Sequence, residues 1–198
     1  MMITLDSRTL VFVIALASFL LSGLMFLFWS RDRRLTCYAL WGAGNASLGG
    51  GWLLLSLRGV VPPVLSIVVA NTLVALAYVL LLNGTRQFAG KPREWWLSAV
   101  LVGGVCLGLS VLVAIEAPID WRITLNVLMP SLLSFRLCRL LSRLEEPATA
   151  FARKVTAQVF MVNAFGYMAT GLLAAPPYEE FSDLFAPSRL MVFMFPGA

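Results

Sequence analysis

Stretches of about twenty mostly apolar residues recur from one end of the 198-residue chain to the other, parted by short segments rich in Arg, Pro and Gly. At 1.5 Å rise per residue, about 20 residues carry a helix across ~30 Å of hydrocarbon. In lipid every backbone N–H and C=O must be bonded within the protein, so such a chain folds as an all-α, polytopic transmembrane helix bundle. The spacing predicts six full spans at about 9–29, 35–57, 64–82, 95–115, 121–141 and 155–175. A shorter apolar run, Ser188–Phe195, is read as a partial seventh span over 188–198 that continues past the end of the chain, with an interfacial placement as the alternative. Hydrophobic residues make up 60% of the chain and charged ones 13%, against about half and about a quarter in a soluble domain. The spans use up the length as one membrane domain, 1–198, and no stretch remains for a soluble catalytic domain, which usually exceeds ~100 residues.

Breaks between spans carry turn chemistry. Arg58-Gly59-Val60-Val61-Pro62-Pro63 joins spans 2 and 3, Glu116–Asp120 joins 4 and 5, and Glu145-Glu146-Pro147 closes span 5. Asn83-Gly84 is expected to weaken the third helix before Arg86. The first apolar run ends in Arg31, Arg33 and Arg34, which marks a retained helix rather than a cleaved signal peptide.

The net charge is +5, and its distribution sets the orientation. Eleven basic residues follow spans 1, 3 and 5; Arg8, Arg58, Arg122 and Arg189 are the four on the other side. The positive-inside rule places the eleven in the cytoplasm and the N-terminus outside. This accounts for the basic balance without nucleic acid as a partner. Trp29, Trp95 and Trp96 fall at the inner boundary, and Trp52 and Trp121 near the outer one, where amphipathic rings settle.

Several chemistries lose their residues. There is no histidine, so His-dependent zinc sites and Ser-His-Asp triads are excluded. Cys37, Cys106 and Cys138 share no metal or redox spacing, and no cofactor site is read. No Asp, Glu, Lys or Arg lies deep in a span, which weighs against an ion-coupled transporter.

Four features remain as candidate sites. On span 2, Gly42, Ala46 and Gly50 repeat every four residues, as do Ala43, Ser47 and Gly51. Small residues let helix backbones approach closely, either within the bundle or across a homodimer. A leucine at Gly50 is therefore expected to disturb packing. Asn45, Asn71, Tyr78, Asn126, Asn163 and Tyr167 place polar groups inside spans, where they staple helices or line a polar cavity. Arg136, Arg139 and Arg143 form one stripe at the inner end of span 5, suited to anionic headgroups, to a cytoplasmic partner or to simple snorkelling. The outer loop from Tyr178 to Phe185 either caps a pocket or lies on the membrane.

Asp6-Ser7-Arg8-Thr9-Leu10, Trp41, Asn45-Ala46, Leu48-Gly49, Arg58-Gly59, Pro62, Leu65-Ser66, Ala70-Asn71, Gly84-Thr85-Arg86-Gln87-Phe88 and Gly90 carry a resemblance. Over about residues 5–95 the chain resembles the N-terminal membrane-sensor region of bacterial GGDEF proteins, the membrane-bound diguanylate cyclases. The resemblance implies a bacterial inner-membrane bundle that precedes a cytoplasmic cyclase domain. No Gly-Gly-Asp/Glu-Glu-Phe signature occurs in this chain, so no catalytic or nucleotide-binding residue is carried over. The expected role is a non-enzymatic sensory input module whose partners are the bilayer and an output domain. The alternative is a small transporter for a neutral or lipophilic solute.

Overall fold

The computed structural model describes residues 7–144 and 149–174. The described residues are helical throughout apart from short connections: α1 (Ser7–Arg31), α2 (Thr36–Ser56), α3 (Ala70–Phe88), α4 (Trp95–Ala114), α5 (Ile119–Ser142) and α6 (Ala150–Ala174). A π-helical stretch, Val64–Val69, runs directly into α3. Four of these segments are long and apolar enough to cross a membrane: 8–31, 64–88, 95–114 and 121–142. That makes this a membrane protein, but with four such helices where six full spans were expected. The two that fall short are long enough in residues. Glycines and Asn45 dilute α2. The expected partial seventh span, 188–198, and the loop from Tyr178 to Phe185 lie outside the described residues.

Helices α1 and α2, α2 and α3, and α5 and α6 form the three closest pairs; α3 also packs on α5. The order in space is therefore an arc, α1–α2–α3–α5–α6, with α4 behind α3 and α5. The main core fills the angle between α3, α4 and α5. It is built on Val74, Tyr78 and Leu82 of α3, Val105 and Leu109 of α4, and Met129, Leu133 and Leu137 of α5. Lipid is as apolar as leucine, so this core coheres through close packing rather than through expulsion of water. Helices α1 and α4 keep most of their apolar surface outward, as lipid contact requires.

The glycines of α2 show how the arc is drawn tight. A Cβ on Gly42 would meet the Phe26 ring of α1 at 3.2 Å, and one on Gly49 would meet the Ala15 carbonyl at 3.1 Å. On another face, Cβ atoms on Gly44 and Gly51 would meet the Ala77 and Ala70 carbonyls of α3 at 3.2 and 2.8 Å. The tightest glycine contacts thus recur every seven residues on two faces, alongside the two rows of four-residue spacing read from the sequence. Gly50 is the loosest, with only Leu73 Cδ1 at 3.5 Å. Ala43 and Ala46 are partly buried, and Ser47 Oγ donates to the Leu73 carbonyl at 2.8 Å. Ser22 Oγ donates likewise from α1 to the Gly42 carbonyl at 2.8 Å. Both glycine faces are spent inside the chain, which leaves a homodimer without this seam.

The third helix does not weaken at Asn83-Gly84; it continues to Phe88 with both residues buried. Gly84 is where the Trp41 indole of α2 lies on α3. A Cβ there would stand 2.6 Å from Trp41 Cδ1 and 3.2 Å from the Cys37 carbonyl. Gly84→Ala is therefore expected to lower stability by about 1–2 kcal/mol, the usual cost of overpacking. Thermal melts in detergent test this, and an unchanged midpoint would show that Trp41 does not sit there.

At one end of the bundle, the α3–α4 connection is tied down by polar contacts. Gly90, at φ +67°, makes the turn that residues with a Cβ rarely adopt. Glu94, at the start of α4, accepts from Arg86 of α3 at 2.9 Å and from Arg136 of α5 at 3.0 Å. Asn83 Oδ1 accepts the Glu94 N–H at 2.8 Å, and its Nδ2 donates to Ser98 Oγ at 2.8 Å and to the Val79 carbonyl at 3.0 Å. Arg93 donates to Gln87 Oε1 and Thr36 Oγ1, which joins the start of α2 to the same network. Of the stripe expected to face headgroups, Arg136 is engaged with Glu94, while Arg139 and Arg143 are exposed. The Glu94 pairs are partly exposed, so Glu94→Gln is expected to cost at most about 1 kcal/mol. Salt screens such pairs, so the deficit should shrink between low and high ionic strength. A deficit that salt leaves unchanged would count against the ion pairs.

Candidate functional site

The concave side of the arc holds a cavity of about 390 Å³, within the ~300–1,000 Å³ range of small-molecule sites. All five helices of the arc line it: Leu10, Val11 and Ile14 from α1, Trp52 and Leu55 from α2, Asn71 and Val74 from α3, Asn126, Val127 and Pro130 from α5, and Asn163, Gly166 and Tyr167 from α6. These residues sit in the half of the bundle away from the Arg86–Glu94–Arg136 network. The walls are mainly apolar, with three carboxamides spaced around them.

Two departures from regular helix geometry explain why the wall is polar here. Pro130 has no N–H, so the backbone carbonyl of Asn126, one turn earlier, loses its usual helical donor. Both residues line the cavity. The π-helical stretch meets α3 beside Asn71, whose Nδ2 donates to the Ile67 carbonyl at 2.7 Å. Irregular backbone at membrane depth is tolerated where it borders a cavity, and π-helical turns recur at functional sites.

The floor is a hydrogen-bonded cluster joining three helices. Tyr78 of α3 donates to Asn163 Oδ1 at 2.9 Å, and Ser134 of α5 donates to the same oxygen at 3.0 Å. Ser131 donates to the Ala164 carbonyl at 3.0 Å, and Tyr78 and Tyr167 meet edge to face at 6.2 Å. Of the polar residues expected to form a cavity, Asn71, Asn126 and Asn163 line this one, and Tyr78 holds Asn163 in place. Asn45 does not join them: its Nδ2 donates to the Trp41 carbonyl of its own helix at 2.9 Å.

A small pocket adjoins the cavity and shares Leu55, Asn71 and Asn126 with it. Arg58, from the turn after α2, and Arg122, from the first turns of α5, enter its wall beside Ser66. Burial, reinforced by the positive charge of Arg122, pushes the Arg58 pKa down. The Arg122 Nε is buried and has no hydrogen-bond partner among the described residues. Arg8 lies near the same turn, its Nη2 3.8 Å from where a Gly59 Cβ would be. Neither Arg58 nor Arg122 was singled out as a site residue from sequence. The available signal was two basic residues on the side that otherwise holds few.

A second groove, of about 510 Å³, runs between α4 and α5 on the convex side. Its lining is apolar except for Arg136, which Glu94 already engages, so it offers lipid tails a surface and little else. Compared with protein-family models, curated proteins and solved structures, the chain finds no match.

Proposed function

We propose that the chain is a membrane-embedded input module that takes a small ligand into the arc and passes the change to a cytoplasmic output domain. One observation carries this reading. The cavity is lined only from one half of the bundle, and the Tyr78–Asn163–Ser134 cluster floors it. A one-sided cavity suits a receptor better than a conduit.

In this proposal α2 and α6 also cross the membrane, making six spans. The basic end lies in the cytoplasm of a bacterial cell, at its inner membrane, and the N-terminus lies outside. The output domain is by resemblance a diguanylate cyclase, and the chain itself is not an enzyme. Signalling requires the ligand to bind two helix arrangements unequally. The Tyr78–Asn163–Ser134 cluster under the cavity is the proposed element that changes, since it joins α6 to α3 and α5. A homodimer is the proposed signalling unit, joined elsewhere than along the α2 glycines.

The rival reading, a carrier of neutral or lipophilic solutes, draws on the apolar walls and uncharged amides of the same cavity. Expression of the full reading frame, with and without Gly166→Leu, separates the two. The substitution is expected to shift cellular cyclic di-GMP. No shift, together with Gly166-dependent uptake of a neutral solute into vesicles carrying this chain, would reject the sensory reading for the carrier.

A further inference from the structure

The two arginines beside the cavity need an explanation that the sensory role alone does not supply. Arg58 and Arg122 converge on one pocket although like charges repel, and burial makes that worse. Arg122 also stands in the first turns of α5, near the positive end of the helix dipole, where a cation is disfavoured. No ion pair to either is present among the described residues. A buried guanidinium nitrogen without a partner is costly, and an anion in the pocket would remove that cost together with the repulsion.

The pocket has room for a small head and no more, with about 20 Å³ open to water-sized groups. Asn71 and Asn126 form its border with the apolar cavity, so a head held by the arginines has its body directed among Leu10, Ile14, Trp52 and Val74. The cavity lies near the lower end of the size range for ligand sites, which favours one chain over two. The geometry points to a one-chain anionic amphiphile as the ligand: its head, a carboxylate or a comparably small anion, lies between Arg58 and Arg122, and its hydrocarbon body fills the arc. This inference rests on the proposed sensory cavity and names what that cavity takes.

Dodecanoate is the probe, with dodecanol as its uncharged counterpart. The chain is placed in phosphatidylcholine nanodiscs, and binding of each radiolabelled compound is measured against empty nanodiscs. Dodecanoate is expected to bind saturably and more tightly than dodecanol. Arg58→Gln and Arg122→Gln should each weaken dodecanoate by about tenfold to a hundredfold, the worth of a hydrogen bond to a charged group, and leave dodecanol unchanged. Gly166 lines the cavity, and a Cβ there would meet nothing within 4 Å, so the backbone accepts a side chain at this position and Gly166→Leu reduces the space beside it. It should abolish binding of both compounds. If the two compounds bind alike and the arginine variants change nothing while Gly166→Leu abolishes both, the anionic head is wrong and the cavity reading survives. If neither compound binds and Gly166→Leu matches the native chain, both readings fail. Phosphatidylglycerol added to the nanodiscs gives the last arm. If it displaces dodecanoate completely, the occupant is a two-chain bilayer lipid and the inference is overturned.

Discussion

Adding one methyl group at Gly51 is expected to cost about 2 kcal/mol, while the same change at Gly50 is neutral or slightly stabilising. The neighbours differ only in what they face. A Cβ on Gly51 would sit 2.8 Å from both the Ala70 carbonyl and Val74 Cγ2 of α3. The carbonyl belongs to helical backbone and cannot turn aside, so the helices must separate, and overpacking of this kind costs about 1–3 kcal/mol. A Cβ on Gly50 meets only Leu73 Cδ1, at an ordinary 3.5 Å. There alanine contributes its better helix propensity, up to about 1 kcal/mol in an exposed helix. Stepwise denaturation in detergent of Gly50→Ala and Gly51→Ala, measured side by side, decides the matter. Equal losses would mean that α2 approaches α3 on a different face.

The second large effect is expected at Asn83. Asn83→Leu should remove about 2 kcal/mol, whereas Asn45→Leu should change stability little. Hydrogen bonds between transmembrane helices average only about 0.6 kcal/mol, because the separated helices find other partners. Asn83 is a different case, since it is completely buried and serves two groups on α4, the Glu94 N–H and Ser98 Oγ. Removing it leaves the Glu94 N–H without its acceptor, while Ser98 Oγ keeps only its bond to the Glu94 carbonyl, and an unsatisfied group of this kind costs about 1–3 kcal/mol. Asn45 bonds only within its own helix, to Trp41, so its loss orphans nothing on a neighbour. Thermal midpoints of the two variants, taken in one detergent, test the contrast. Equal midpoints would contradict the described bonding of Asn83.

These paired sites also show what the sequence could reveal. The helical class and most helix bounds were legible, because apolar length and turn residues act locally. The number of crossings was not, since α2 mixes apolar residues with glycines and Asn45 and composition alone does not place it. Small residues on α2 marked close packing, but which glycines meet α1 and which meet α3 depends on the two partners and not on the spacing. Asn71, Asn126 and Asn163 were recognisable as intramembrane polar residues, yet whether each staples or lines depends on its neighbours in space. Asn83 looked like a helix breaker because its partners, Glu94 and Ser98, lie across a turn. Arg58 and Arg122 are 64 positions apart, and only the packing of the π-helical stretch and α3 between α2 and α5 brings them to one pocket.

The arc has a consequence for the order in which the molecule is assembled. Helices α1, α2 and α3 each pack on their neighbour in sequence, so this triplet can form from consecutive hairpins. The pairing of α5 with α3 skips α4 and closes a longer stretch of chain, and α6 arrives only with α5. Asn126, Asn163 and Tyr167 ride on that late pair, so the cavity comes into being at the last step. A ligand that binds only the completed site stabilises that step by mass action, in proportion to the logarithm of its concentration over Kd. The ligand would thus act during biogenesis as well as afterwards: cells supplied with it should hold more of the finished protein, and cells deprived of it should leave the α5–α6 pair open to quality-control proteolysis.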